Sequence, residues 1–199
     1  MKWRSMSSFL FVCLLAVVSV GCSGAEQLDH SGGPAPTASA SPTPSGEVQY
    51  SVPTGWVQET PASRMRKDQY RLPRAEGDVE DAQLVVFHFP GQGGTVQANV
   101  DRWIGQFTKA DGSPVSDLAQ VTKKEVNGVP ITILQVSGTY HQSMGGPMAP
   151  RTAKKNYRLL GAIVDRPNGP WFFKLTGPEK TIARWEQSFQ QFTASIKLE

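Results

Sequence analysis

The chain predicts an α+β fold: an antiparallel β-sheet flanked by helices as an α/β/α sandwich, placed after a signal peptide and a disordered linker. Three observations carry this. In the stretch 157–164 the odd positions Tyr157, Leu159 and Ile163 and the even positions Leu160, Ala162 and Val164 are all apolar, as in strands buried on both faces. Two segments instead repeat their apolar residues at helical spacing, Val96, Val100, Trp103, Ile104 and Phe107 in one and Ile182, Trp185, Phe189, Phe192 and Ile196 in the other. Finally, Asn127-Gly128 and Arg166-Pro-Asn-Gly169 separate pairs of apolar runs, and such turns connect antiparallel neighbours. One helix is then available for each face of the sheet.

The first 21 residues read as a signal peptide. Lys2 and Arg4 form a positive start, and the apolar run from Phe9 to Val20 follows. That run holds 12 residues, too few for a spanning helix, which needs about 20. Val20-Gly21-Cys22 resembles the end of the lipobox of bacterial lipoproteins, with Ser19 where leucine is usual. The resemblance implies cleavage before Cys22, acylation of its thiol, and residence in the cell envelope as a membrane-anchored lipoprotein facing the periplasm or the cell exterior. Several acyl chains would hold it there, each contributing about 0.8 kcal/mol per buried methylene.

Loss of Lys2 and Arg4 leaves 18 basic against 17 acidic residues, a near balance that speaks against a nucleic-acid partner. Cys13 leaves with the signal, so Cys22 is the single cysteine of the processed chain and no internal disulfide can form. Residues 22–46 form the lipidated cysteine and its linker. The composition there is Ser, Gly, Pro, Ala and Thr with almost no large apolar side chain, which cannot offset the entropy of ordering. The range 47–199 is then one globular α/β domain, of a size that ordinarily makes a single core.

Within it, short strands are expected at 48–52 and 56–60, making a hairpin around Pro53-Thr-Gly55, and at 64–72 and 84–89. The first helix is expected over 95–108. Strands follow at 121–126, 129–140, 157–165 and 171–176, and the closing helix is capped by Thr176 or Gly177 with Pro178 in its first turn. The four tryptophans beyond the signal, Trp56, Trp103, Trp171 and Trp185, are spread along the domain as core aromatics.

A Pro-x-Gly-Trp step at 53–56, an early helix, a run of antiparallel strands and the closing Phe189-x-x-Phe192-x-x-Ser195 resemble the PsbP/Mog-like fold. That fold is shared by photosystem II extrinsic PsbP proteins, Ran-binding Mog proteins and DcrB-type envelope lipoproteins. The resemblance implies binding of other macromolecules and supplies no catalytic residues.

Chemistry is sparse. His30, His88 and His141 occur without HExxH, H-x-H or paired carboxylates, so no metal is expected. There is no Gly-x-Ser-x-Gly elbow, and no catalytic residue or cofactor is assigned. Gly91-Gln-Gly93-Gly94 lacks the Lys-Ser/Thr ending of a phosphate loop and reads as a tight strand-to-helix connection. The segment 141–155 stands out, because long loops in compact domains are more often functional than short ones. Met144 and Met148 offer adaptable apolar contacts, while Arg151, Lys154 and Lys155 supply positive charge. These five residues are the candidate partner-contact loop.

The expected role is a non-enzymatic, macromolecule-binding or assembly-supporting module, joined to the membrane through acylated Cys22 and to another envelope protein. A small-ligand carrier with a pocket beside the sheet is the alternative, and a hydrolase a third.

Overall fold

The computed structural model describes residues 46–143 and 151–199. The expected signal peptide, Cys22, the expected linker through 45, Met144 and Met148 lie outside the described residues. Among those described, the chain forms β1 (Val48–Gln49), β2 (Val57–Glu59), β3 (Asp68–Leu72), β4 (Ala82–His88), α1 (Val96–Ile104) and β5 (Phe107–Thr108). It continues with β6 (Gln120–Val126), β7 (Val129–Ser143), β8 (Arg151–Val164), β9 (Trp171–Pro178), α2 (Glu179–Ala194) and β10 (Lys197–Leu198).

One sheet runs in the order β2-β3-β4-β9-β8-β7-β5, with β6 also pairing to β7, and every pairing is antiparallel. Strands β1 and β10 make a separate two-stranded sheet. The fold is α+β, with a helix on each face of the large sheet.

Period-two alternation sorts the two cores. Leu160, Ala162 and Val164 of β8 join Trp171, Phe173 and Leu175 of β9 under Ile182, Phe189 and Phe192 of α2. The intervening Leu159 and Ile163, with Phe172, pack beneath Val100 and Trp103 of α1. Gly161 makes room on that second face, since a Cβ there would lie 2.5 Å from the Trp103 ring.

Turn chemistry matches the sequence at the β6–β7 hairpin. Asn127 and Gly128 adopt φ of 50° and 76°, the left-handed pair that a two-residue turn of this kind requires. The Asn127 amide then donates to the carbonyls of Ala194 and Ile196, tying the hairpin to the end of α2.

Four expectations are corrected. Strands β1 and β2 do not pair with each other: β1 finds β10 near the C-terminus, and β2 finds β3. The first helix is shorter than its apolar stripe, because Gly105 ends it and Phe107 enters β5 with its side chain still in the same core. Thr176 and Gly177 belong to β9 instead of capping α2. Pro178 is the N-cap without a side-chain bond, and Asp78 caps from a distance by accepting from the Thr181 N–H at 2.8 Å and its hydroxyl at 2.6 Å. Lastly, 141–143 and 151–155 are not loop: the β7–β8 ladder continues to the pair Ser143↔Arg151.

Candidate functional site

Helix α1 has nine residues and covers only part of its face of the sheet. Beyond it, the residues that alternation sends to this face turn polar, with Gln69 on β3, Gln83 on β4, and Lys174 and Thr176 on β9. The register sets Val85 opposite Lys174 and Gln83 opposite Thr176. These residues and Phe87 floor a groove of about 270 Å³. Tyr140 and Gln142 of β7, Lys154 and Tyr157 of β8, and Arg66, Glu80 and Asp81 complete its lining.

Lys174 is the central group. Its ammonium donates to Gln106 Oε1 at 2.5 Å and lies 5.3 Å from the Tyr140 ring and 6.0 Å from the Trp103 ring. Burial, reinforced by the charges of Arg102 and Arg66, pushes its pKa down to about 7. Arg66 donates through Nη1 to Gln69 Oε1 at 2.6 Å and to Gln83 Oε1 at 3.0 Å. Arg102, on α1, donates to Asn99.

The acids around the groove are already engaged. Glu80 accepts from Lys154 at 2.6 Å. Burial works against the charge of Glu80, yet hydrogen bonds from Lys154 and Tyr157 hold its pKa below the ordinary value. Asp81 pairs with Arg71 at 3.1 Å and accepts from the Arg74 N–H at 2.8 Å. Burial, followed by the bond to Glu80, raises the Tyr157 pKa, and burial raises that of Tyr140. Among the described residues, neither Lys174 nor Arg66 has a carboxylate within salt-bridge distance.

The candidate contact residues separate in space. Lys154 faces the groove with its charge paired to Glu80 and its ammonium 5.3 Å from the Tyr157 ring. Arg151 and Lys155 are exposed on β8. Because β9 first meets β8 at Tyr157↔Pro178, residues 151–154 pair with β7 on one side and have no strand on the other among those described, while Lys155 and Asn156 lie in a bulge of the β7–β8 ladder. Together these residues and β7 form a basic two-stranded arm.

Other sequence features settle into structural roles. In the glycine segment, Gly91, Gly93 and Gly94 all have positive φ, and the Asn99 amide fastens the connection by donating to the Gly93 and Thr95 carbonyls. His88 stacks on Trp171 with ring centres 4.4 Å apart. Burial, then the charge of Lys67, lowers its pKa. The His141 Nε2 shares a 2.9 Å hydrogen bond with the Thr108 hydroxyl. Among the described residues no group of three or more His, Cys, Asp or Glu is placed to hold a metal, and no helix is long and apolar enough to cross a membrane.

Sequence reasoning passed over Lys174 and Arg66. The available signal was Lys174 itself, a lone cation inside Trp171-Phe-Phe-Lys-Leu175.

No protein-family model matches the chain, and no curated protein does either. Solved structures similar to this chain include the following two. PA94, a protein of unknown function from Pseudomonas aeruginosa, is 10% identical with a TM-score of 0.46, covering 72% of this chain and 97% of its own. CyanoP, the cyanobacterial PsbP of Synechocystis sp. PCC 6803, is 13% identical with a TM-score of 0.43, covering 83% of this chain and 100% of its own.

Proposed function

We propose that this chain is a lipid-anchored, non-enzymatic protein of the cell envelope whose domain works by gripping another envelope protein with the β7–β8 arm. The observation that carries the reading is the open edge of β8. Residues 151–154 pair with β7 and leave their other side without a strand among the described residues; Lys155 and Asn156 follow in a bulge where Asn156 takes a φ of 56°, and Arg151 and Lys155 are exposed. An edge strand can accept a partner strand by main-chain hydrogen bonding, while its exposed cations discourage indiscriminate pairing and favour an acidic partner. Anchorage through Cys22 and the Ser/Pro/Gly/Ala linker would hold that arm within reach of membrane neighbours.

Site-specific photocrosslinking in cells tests this, with the crosslinker placed at Arg151 or Lys155 and, as a control, at Lys197. A discrete crosslinked envelope protein from the arm alone is expected. It should disappear in Cys22→Ser, which is expected to leave the membrane fraction. Equal crosslinking from Lys197, or membrane retention of Cys22→Ser after a high-salt wash, contradicts the reading.

A further inference from the structure

We infer that the floor of the groove on the α1 face is a binding site for a small oxyanion, the carboxylate or phosphate group of a compact ligand, held between Lys174 and Arg66. The site adjoins the arm and shares Lys154 with it, but the exposed Arg151 and Lys155 do not line it.

Charge pairing comes first. Five ionisable residues of formal charge line the groove: Arg66, Lys154, Lys174, Glu80 and Asp81. Lys154 uses Glu80, and Arg71, from outside the lining, uses Asp81. Lys174 and Arg66 are left with neutral amide oxygens as their partners. Arg102, on the adjoining helix, adds a third cation, likewise bonded to an amide oxygen. Withdrawing an ammonium from water beside two guanidinium groups is costly unless a counter-charge arrives. The rings of Trp103 and Tyr140 ease that cost by cation–π attraction, but they cannot neutralise it.

Geometry comes second. Both bonds that fix Arg66 leave from Nη1. The Nε and Nη2 donors have no protein partner among the described residues, and neither is enclosed. Those two donors form the edge of guanidinium that matches a carboxylate or phosphate bidentately. The two glutamine oxygens hold the plane in place for it. Beside Lys174, Thr176 lines the same floor with a buried hydroxyl that has no partner among the described residues, a group that native interiors ordinarily satisfy.

Size and lining narrow the ligand further. A volume of about 270 Å³ suits a small molecule. Val85, Phe87, Tyr140 and Tyr157 supply apolar and aromatic surface for its body, while the cations would hold its anionic end. The lining is predominantly polar, so the apolar and aromatic surface is a minor part of the groove and the charged and amide groups dominate recognition.

Titration gives the site a signature. Lys174 passes from charged to neutral near pH 7. Of the groups facing it, Glu80 and Asp81 are held ionised, with pKa values below ordinary. Tyr140 and Tyr157 are held protonated, with pKa values above ordinary. The other charged groups nearby are Arg66 and Lys154 of the lining and Arg102 of α1. Anion binding should therefore weaken as pH climbs through 7, and a bound anion should in turn raise the pH at which Lys174 loses its proton.

The test uses the full chain in a non-ionic detergent with 13C-labelled lysine, at fixed ionic strength set by sodium chloride. The Lys174 signal is assigned by its absence from Lys174→Met. Inorganic phosphate, benzoate and neutral benzamide are titrated in separate arms. Either anion is expected to move the Lys174 titration upward by about one pH unit, a tenfold preference for the charged amine, while benzamide leaves it in place. A response to phosphate alone assigns a phosphate ligand, and a response to benzoate alone assigns a carboxylate. In Arg66→Gln, whose groove keeps its lysine, anion affinity should fall at least tenfold, with Arg66→Lys recovering part of it. No shift with either anion, or equal binding by Arg66→Gln, overturns the proposal.

Discussion

The two faces of the large sheet are built from the same strands and put to different uses. On one, the 16-residue α2 covers a continuous apolar core in which Phe192 packs against Tyr50, Trp56, Phe173 and Phe189. On the other, the nine-residue α1 covers a smaller core around Trp103 and leaves the remainder of the face as a polar groove. Strand β9 shows the difference most plainly. Trp171, Phe173 and Leu175 serve the first face, and Phe172, Lys174 and Thr176 the second. Helix length decides where the core ends, and side-chain polarity along each strand follows that limit.

Substitutions on the two faces should therefore cost different amounts. Phe192→Ala, in the α2 core where Phe192 is fully buried, should lower unfolding free energy by about 3 to 5 kcal/mol. Urea titration of the variant checks this, and a change below 1 kcal/mol would mean that α2 is loosely packed. On the α1 face, Gly161→Val forces a side chain into the Trp103 ring, with an expected loss of about 1 to 3 kcal/mol. Its near-UV circular dichroism should change as Trp103 is displaced, while Gly161→Val combined with Trp103→Leu should recover part of the loss.

Smaller effects belong at the edges of the comparison. Asp78→Ala removes the remote cap of α2 and should cost about 1 kcal/mol, read from the thermal midpoint. Arg151→Ser with Lys155→Ser, on the exposed arm, should stay within about 0.5 kcal/mol of the parent. A larger loss would make the arm part of the folded core and weaken its assignment as a contact surface.

How much of this could be read from the sequence depended on how local the cause was. Apolar residues at both odd and even positions of 157–164 announced a doubly buried strand, and Asn127-Gly128 announced the β6–β7 turn, because both signals lie within a few residues. Partners far apart in the chain were invisible. Nothing near Val48 points to Leu198, its partner in the small sheet, and nothing near Thr181 points to Asp78. The stretch 141–155 misled for a related reason. Its Gly and Pro content is concentrated in 145–150, while the flanking polar residues take their strand conformation from each other across the β7–β8 ladder. The groove was missed because Lys174, Arg66 and Gln106 lie on different elements and meet only through the sheet order.

If the α1 face retains Lys174 at a cost to stability, the pH dependence of that cost can be measured directly. Folding moves the lysine pKa from its free value of about 10.4 down to about 7. Below pH 7 both states carry the proton and the penalty is present in full. Between about 7 and 10 the unfolded chain holds more protons than the folded one, so stability rises with pH by about 1.4 kcal/mol for each unit of separation. Lys174→Met lacks this contribution. Unfolding free energies of parent and variant at pH 6 and pH 9.5 should show the variant more stable at pH 6, with the gap narrowed or reversed at pH 9.5. A variant that is less stable than the parent by the same amount at both pH values would show that Lys174 is an ordinary stabilising residue of the sheet.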